Sequence, residues 1–279
     1  MTEEPRHAEQ DPFALDDVTT SGAVATRIMM QHCVGRPNRY FMFGGIGMAL
    51  ATRAIERRIG QPLRWLTIQF ITPTLLGSRL ELSIERLVGD RVAQLALTGR
   101  VDDEIVMRGL AAVGRRAASS SIQAAPMPAV PPPEACEPIR AHDHAEHDVH
   151  QIVEIRLVKG RFGVFSKAPV SPDGHVQVWM RPRGEPVDAA MLALMADFVP
   201  SIVSNALDAR AGGSSLDNTV RIVRIVPTGW VLCDISIAAI TDGIGHGEMK
   251  LFAEDGTLMA IASQSFIARV PTPRASTRP

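Results

Sequence analysis

The pattern that decides the fold begins at residues 44–60, which read GGIGMALATRAIERRIG. Apolar residues recur there at helical spacing, Arg57 and Arg58 fall in the last turn, and Gly60 follows as a C-terminal cap. Four segments rich in Val, Ile, Leu and Thr come next, and the breaks between them hold Pro, Gly and Asp. The pattern predicts a helix followed by four antiparallel strands, which are residues 64–71, 79–87, 91–101 and 105–113.

The second half of the chain repeats this order of elements. Residues 187–207, VDAAMLALMADFVPSIVSNAL, show a second helical pattern. The strands predicted after it are 215–225, 230–240, 247–253 and 258–270, and each half has a further strand before its helix, at 23–30 and 176–180. Because the halves share little sequence, the repeat is one of pattern only. A helix packed on an antiparallel sheet is predicted in each half, which is an α+β fold.

Composition divides the chain into two domains. Between residues 117 and 149 Pro, Ala and Ser dominate and no periodicity survives, so we expect a linker. The polar ends, 1–17 and 271–279, are expected to be disordered. The domains that remain are 18–116 and 150–270.

Charge and composition argue against several classes of protein. The 279 residues carry a net charge of −1, without the basic excess of a nucleic-acid binder. No apolar run approaches the ~18 residues of a membrane span, and the N-terminus lacks the apolar core of a signal peptide. The three cysteines form no CxxC motif, which argues against disulfides and a cysteine-based zinc site and fits a reducing compartment. We therefore expect a cytoplasmic protein.

The histidines of the linker form the one pattern in the sequence that resembles a metal-binding site. His142, His144, His147 and His150 lie among acidic residues, as in some metal-binding tracts. A solvated linker lacks the fixed geometry and supporting hydrogen bonds of a metal site, so we expect no metal there.

Three short motifs of the second half narrow the fold. They are LALMADFVPSIV at 192–203, SSLDNTV at 214–220 and EDGTLMAIASQSF at 254–266. In this order they resemble the acyl-CoA thioesterase II type of double-hotdog protein. FGGIGMALA at 43–51 and LTIQFITP at 66–73 support the match. The resemblance covers most of residues 20–270 and implies a double hotdog, with two antiparallel sheets that are each wrapped on a central helix.

Carried over residue by residue, the resemblance implies a catalytic trio of Asp197, Ser215 and Gln264. A carboxylate can accept the proton of an attacking water, and a hydroxyl and an amide can fix that water. Gly44 and Gly45 would bring the substrate close to the N–H groups at the start of the first helix, which suit a developing oxyanion. The implied reaction is hydrolysis of acyl-CoA to a free acid and CoA, in lipid metabolism and without a cofactor.

Each residue of the trio also has a plainer interpretation. Asp197 can be the N-cap of a helix that restarts before Pro200. Ser215 can bond its own backbone at a loop end, and Gln264 can be a satisfied buried amide. Asp217 alternates with Ser215 on one strand face and is a second candidate for the carboxylate, although we favour its interpretation as a structural hydrogen-bond acceptor.

Other functions and partners remain open. Asn218 stands where the family often has His, which leaves the substrate class undecided. A non-catalytic acyl-CoA or lipid-binding module is one alternative. A hotdog enoyl-CoA hydratase is another, although its Asp followed five residues later by His is missing near both predicted helices. The resemblance also implies a homodimer or a larger homo-oligomer, and surface arginines are expected to contact the CoA phosphates.

Overall fold

The structure is a computed structural model that describes residues 11–18, 22–36, 38–117, 120–139 and 149–270. The helices and strands of the N-terminal half are β1 (Asp16–Asp17), β2 (Val24–Arg27), a 3₁₀ helix (Met30–His32), β3 (Cys33–Arg36), β4 (Arg39–Met42), α1 (Gly44–Ile59), β5 (Leu63–Phe70), β6 (Arg79–Val88), β7 (Val92–Val101) and β8 (Glu104–Gly114).

The C-terminal half follows the same order. Its elements are a 3₁₀ helix (Pro133–Ala135), β9 (Glu137–Pro138), a 3₁₀ helix (Val149–Gln151), β10 (Val153–Lys159), β11 (His175–Pro182), α2 (Ala189–Met195), a 3₁₀ helix (Ala196–Ile202), α3 (Val203–Ala206), β12 (Gly212–Ser215), β13 (Asp217–Ile222), β14 (Val231–Thr241), β15 (Ile244–Ala253) and β16 (Leu258–Arg269). The predicted order of one helix followed by antiparallel strands is confirmed in both halves.

The sheet is continuous, in contrast to the two separate sheets that the sequence predicts. Within the described residues the order is β1-β2-β6-β7-β8-β5-β13-β16-β15-β14-β11-β10-β9, with β12 also on β16, and β3 and β4 form a hairpin of their own. The two halves join where β13 pairs with β5, from Asp217 opposite Gln69 to Arg221 opposite Trp65. Pairing of these two strands satisfies backbone groups that separate sheets would leave at exposed edges.

The core lies between the sheet and the central helices. The N-terminal half of α1 is buried on all sides, since residues 45–52 are all buried, and the helix ends where Gly60 adopts φ 70°, the left-handed cap that the sequence predicts. The helical stretch Ala189–Ala206 is apolar and long enough to cross a membrane by composition, but 89% of it is buried inside the protein, as in the core helix of a globular domain.

Two segments that the sequence predicts to be disordered or linking are ordered. In residues 11–17, β1 pairs with β2 and the ring of Phe13 is only 2% exposed, because the core gives it an apolar site. The other parts of these predictions concern residues 1–10, 140–148 and 271–279, which lie outside the described residues.

Residues 120–139 cover the outer face of the C-terminal part of the sheet. Trp179 and Trp230 form an apolar cluster there with the buried Cys136. The indole N–H of Trp179 donates to the carbonyl of Pro131 at 3.0 Å, and Gln123 accepts from the backbone N–H of Leu258 at 2.8 Å. This Pro-rich segment is therefore part of the C-terminal domain, because its extended chain shields apolar side chains from water.

Candidate active site

Asp197 lies on a stretch of the central helix that Pro200 forces out of α-geometry. Proline has no N–H to donate to the carbonyl of Ala196, so the chain tightens into a 3₁₀ helix over Ala196–Ile202. The interpretation of Asp197 as the N-cap of a helix that restarts before Pro200 is wrong, because Asp197 lies inside this 3₁₀ helix, whose N-cap is Met195. The cap of α2 is Asp188, whose Oδ1 accepts from the N–H of Met191 at 2.9 Å.

One oxygen of the Asp197 carboxylate accepts hydrogen bonds from three strands, β12, β13 and β16. The side chain is only 2% exposed. Its Oδ1 accepts from the Ser215 hydroxyl at 3.2 Å, from the Asn218 amide at 3.2 Å, and from the Gln264 amide. Gln264 Nε2 also lies 2.8 Å from Ser215 Oγ. The structure thus brings together the three residues that the resemblance implies, and it adds Asn218.

A β-bulge aims both Ser215 and Asn218 at the same carboxylate. Residues three apart on a regular strand point to opposite faces of the sheet. Here the register against β16 shifts by one residue between the pair Ser215 and Phe266 and the pair Thr219 and Ser263. The extra residue turns the Asn218 side chain inward. Because strand alternation places residues 215 and 218 on opposite faces, the sequence does not predict this contact.

Glycines of the sheet let the 3₁₀ helix come close. A Cβ on Gly213 would lie 2.8 Å from Pro200 Cβ, and a Cβ on Gly247 would lie 2.6 Å from Val199 Cγ1. Both distances are shorter than a normal contact, so larger side chains would push the helix away. Gly247 pairs with Gln264, so the same close approach brings that amide to Asp197.

The start of α1 meets the other side of Asp197. A Cβ on Gly44 would lie 2.6 Å from Asp197 Oδ2, and a Cβ on Gly45 would meet the carbonyl of Leu194. Only glycine allows the two helices to approach so closely. The first N–H groups of a helix have no partner within it and carry a partial positive charge. This end of α1 can therefore stabilise negative charge beside the carboxylate.

Burial changes the acidity of Asp197. Loss of solvent raises the pKa of its carboxyl to about 7, although hydrogen bonds from Asn218, Ser215, the backbone N–H of Gly45 and Gln264 act to lower it. Three buried oxygens of the cluster have no well-formed partner among the described residues: Asp197 Oδ2, Asn218 Oδ1 and Gln264 Oε1. A carboxyl that titrates near neutral pH, next to unused acceptors, suits proton transfer with a bound water.

The remaining predicted site residues have simpler positions. Asp217 accepts a hydrogen bond from the backbone N–H of Ser265 at 2.7 Å, which confirms the structural interpretation. His142, His144 and His147 lie outside the described residues. Among the residues that are described, no three His, Cys, Asp or Glu side chains come close enough together to hold a metal ion.

Comparison with protein families matches both halves. The model of the acyl-CoA thioesterase N-terminal domain matches residues 35–114, and that of the acyl-CoA thioesterase C-terminal domain matches residues 133–268. The second match begins inside the segment that the sequence predicts to be a linker, in agreement with its packing on the sheet. A search of curated proteins gave no significant match.

Solved structures resemble the chain over almost its whole length. A protein from Novosphingobium aromaticivorans, provisionally named a thioesterase, is 32% identical, with a TM-score of 0.79 over 90% of this chain and 96% of its own. A hotdog protein of unknown function from Alicyclobacillus acidocaldarius is 24% identical, with a TM-score of 0.80 over 96% of this chain and 100% of its own. An acyl-CoA thioesterase II from Mycobacterium marinum is 19% identical, with a TM-score of 0.71 over 94% of this chain and 98% of its own. The last two support the hotdog fold alone.

Proposed function

We propose a function from the premise that the chain belongs to the acyl-CoA thioesterase family, whose two domain models match most of its length. The proposed reaction is hydrolysis of an acyl-CoA thioester to a carboxylic acid and CoA. Asp197, Ser215 and Gln264 are proposed to hold and activate the attacking water, and the start of α1 at Gly44 and Gly45 is proposed to bind the thioester oxygen.

The proposed mechanism assigns each group one task. The Asp197 carboxylate takes a proton from water as the water oxygen attacks the carbonyl carbon. Ser215 and Gln264 orient that water, and N–H groups at the start of α1 stabilise the tetrahedral oxyanion. The carbon–sulfur bond then breaks, and the proton held by Asp197 passes to the leaving thiolate. Base catalysis of this kind is worth ~10²–10⁴ in rate.

One observation carries the proposal. Asp197 is a buried carboxylate with a pKa near 7, bonded through one oxygen to Ser215, Asn218 and Gln264, and in contact with a helix N-terminus through the other. Burying a charge is costly, and the hydrogen bonds to this carboxylate offset that cost only in part, because its pKa stays well above the ordinary value. Perturbed carboxyls of this kind are concentrated at sites of chemistry.

The test measures release of free CoA thiol from acyl-CoAs that range from acetyl-CoA to palmitoyl-CoA. We expect wild type to hydrolyse a subset and Asp197→Asn to lose at least ~10²-fold in kcat. Asp188→Asn is the matched control, since it makes the same change on the same helix and Asn remains a good cap. Full activity in Asp197→Asn would remove this residue from the mechanism.

Two other results would favour the alternatives. Binding of acyl-CoA by wild type without hydrolysis of any chain length would favour a non-catalytic module. Hydration of an enoyl-CoA without thiol release would favour the hydratase. Three further expectations stay predictions: the homo-oligomer, the role in lipid metabolism and the cytoplasmic location. Gel filtration with light scattering tests the homo-oligomer.

A further inference from the structure

A second site lies at the far end of the strand that carries Ser215. A cavity of about 190 Å³ opens there, lined by Arg161, Val164, Phe165, Ser166, Ala209 and Arg210. We propose that it binds the phosphorylated nucleotide end of CoA. This inference rests on the proposed function, because it identifies the part of the protein that holds the non-reacting part of the same substrate.

The position of the cavity fits one extended ligand. A Cβ on Gly212, the first residue of β12, would lie 2.7 Å from Val164 Cγ2 in the cavity wall. Ser215, the last residue of β12, bonds to Asp197. These points are ~10 Å apart along β12 but on opposite faces of the strand. The cavity loop is tied to the Asp197 side by the central helix: the N–H of Gly163 donates to the carbonyl of Ser201 at 2.7 Å, and the Ser204 hydroxyl donates to the carbonyl of Gly163 at 3.0 Å. The pantetheine arm, which connects the thiol of CoA to its diphosphate, can span that distance.

The charge of the cavity suits phosphate. The guanidinium of Arg210 lies over the ring of Phe165, 4.3 Å from its centroid. Arg161 is fixed by the carbonyl of Ala168 at 2.9 Å and pairs with Asp208 at 3.1 Å. Asp208 is a surface side chain, 71% exposed, and offsets part of one charge. A guanidinium presents paired N–H donors that match two phosphate oxygens.

Neighbouring groups extend the same surface. Arg269 pairs with Gly212 across the strands, and its Nε donates to Ser214 Oγ at 2.8 Å, which places a third guanidinium beside β12. Phe165 is 47% exposed, and a half-exposed ring offers the apolar contact that a purine base uses. The cavity thus combines cations for phosphate with a ring for adenine.

The first experiment measures binding without catalysis. Calorimetric titration with CoA and with adenosine 3′,5′-bisphosphate should show that Arg210→Gln and Arg161→Gln each weaken both ligands about tenfold, as expected when a charge-assisted hydrogen bond is lost. Arg91→Gln, an exposed arginine on the turn between β6 and β7, should change neither affinity. Equal affinity in wild type and Arg210→Gln would overturn the proposal, as would equally tight binding of inorganic phosphate and adenosine 3′,5′-bisphosphate to wild type.

The second experiment compares acyl-CoA with the same acyl group on pantetheine, which lacks the nucleotide. The ratio of kcat/KM for the two substrates should fall about tenfold in Arg210→Gln, through KM for acyl-CoA, and should recover in part in Arg210→Lys. A ratio equal to that of wild type would overturn the inference while leaving the thioesterase proposal intact. Weaker CoA binding in Arg210→Gln, in a protein that hydrolyses no thioester, would support the cavity and reject the hydrolysis.

Discussion

The two halves of the chain share one order of elements but contribute different parts of the site. In the N-terminal half α1 is an unbroken helix, and its ninth residue is Thr52, whose hydroxyl bonds to the Met48 carbonyl of the same helix at 2.8 Å. The ninth residue from the start of α2 is Asp197, which lies beyond the end of the α-helix and bonds to three strands instead. The first half thus supplies backbone N–H groups, and the second supplies side chains.

This division explains why the two helices cross so closely. The N–H of Gly45 can reach the carboxylate only because neither Gly44 nor Gly45 carries a side chain. The C-terminal helix begins with a capping Asp188, and for α1 no side chain caps the start at Phe43. A helix start without a side-chain cap leaves its first N–H groups for partners from elsewhere in the protein or for a ligand, and here that of Gly45 bonds to Asp197.

The largest expected effect comes from closing the gap between the helices. Gly45→Ala places a methyl group against the Leu194 carbonyl and 3.1 Å from Asp197 Cβ, so we expect a loss of ~1–3 kcal/mol of stability. We also expect a fall of ~10²-fold in kcat/KM for acyl-CoA, since the donors move away. Urea denaturation and thiol release measure the two effects.

Gly47→Ala is the control for this substitution on the same helix. Its Cβ would meet the flexible end of Met42 at 3.0 Å, and alanine favours the helix by ~1 kcal/mol. We expect its stability and activity to stay near those of wild type. Equal losses in both variants would mean that the start of α1 has no special role.

An intermediate effect is expected from Asn218. Asn218→Leu removes a donor to the charged form of Asp197, so the pKa of that carboxyl should rise above its value of about 7. The acid limb of kcat/KM should then move to higher pH, by ~1 unit. Asp217→Asn is the neighbouring control, because Asp217 bonds to the backbone of Ser265 and not to Asp197. A shift of the same size in both variants would contradict this role of Asn218.

The smallest effect is expected at the N-terminal counterpart of Asp197. Thr52→Val loses only a hydrogen bond to a carbonyl of its own helix, so stability should change by about 1 kcal/mol or less. Because Thr52 touches none of the proposed reacting groups, kcat should be unchanged. A large loss of kcat in Thr52→Val would show that the two halves share the chemistry.

Much of this site could be predicted from the sequence because local patterns carry it. The motifs around Asp197, Ser215 and Gln264 keep their order along the chain, and alternation in β16 correctly places Gln264 and Phe266 on the buried face. The bond between Asn218 and Asp197 was not predictable. It needs a bulge, and strand alternation puts residues 215 and 218 on opposite faces.

The long-range features also escaped prediction. Whether β5 and β13 pair depends on how two distant edges meet, and no local period encodes that. The Pro-rich residues 120–139 have the composition of a linker, but their packing is decided by Trp179 and Trp230, which lie far along the chain and leave an apolar surface that needs a cover.

The most direct test of the central claim is the pH dependence of kcat/KM for one acyl-CoA substrate. The active form of Asp197 is the carboxylate, and its pKa is about 7. We predict that the rate falls about tenfold per pH unit below that midpoint and is level above it, and that the small residual rate of Asp197→Asn lacks this limb. A flat wild-type profile across this range, or the same limb in Asp197→Asn, would contradict the account.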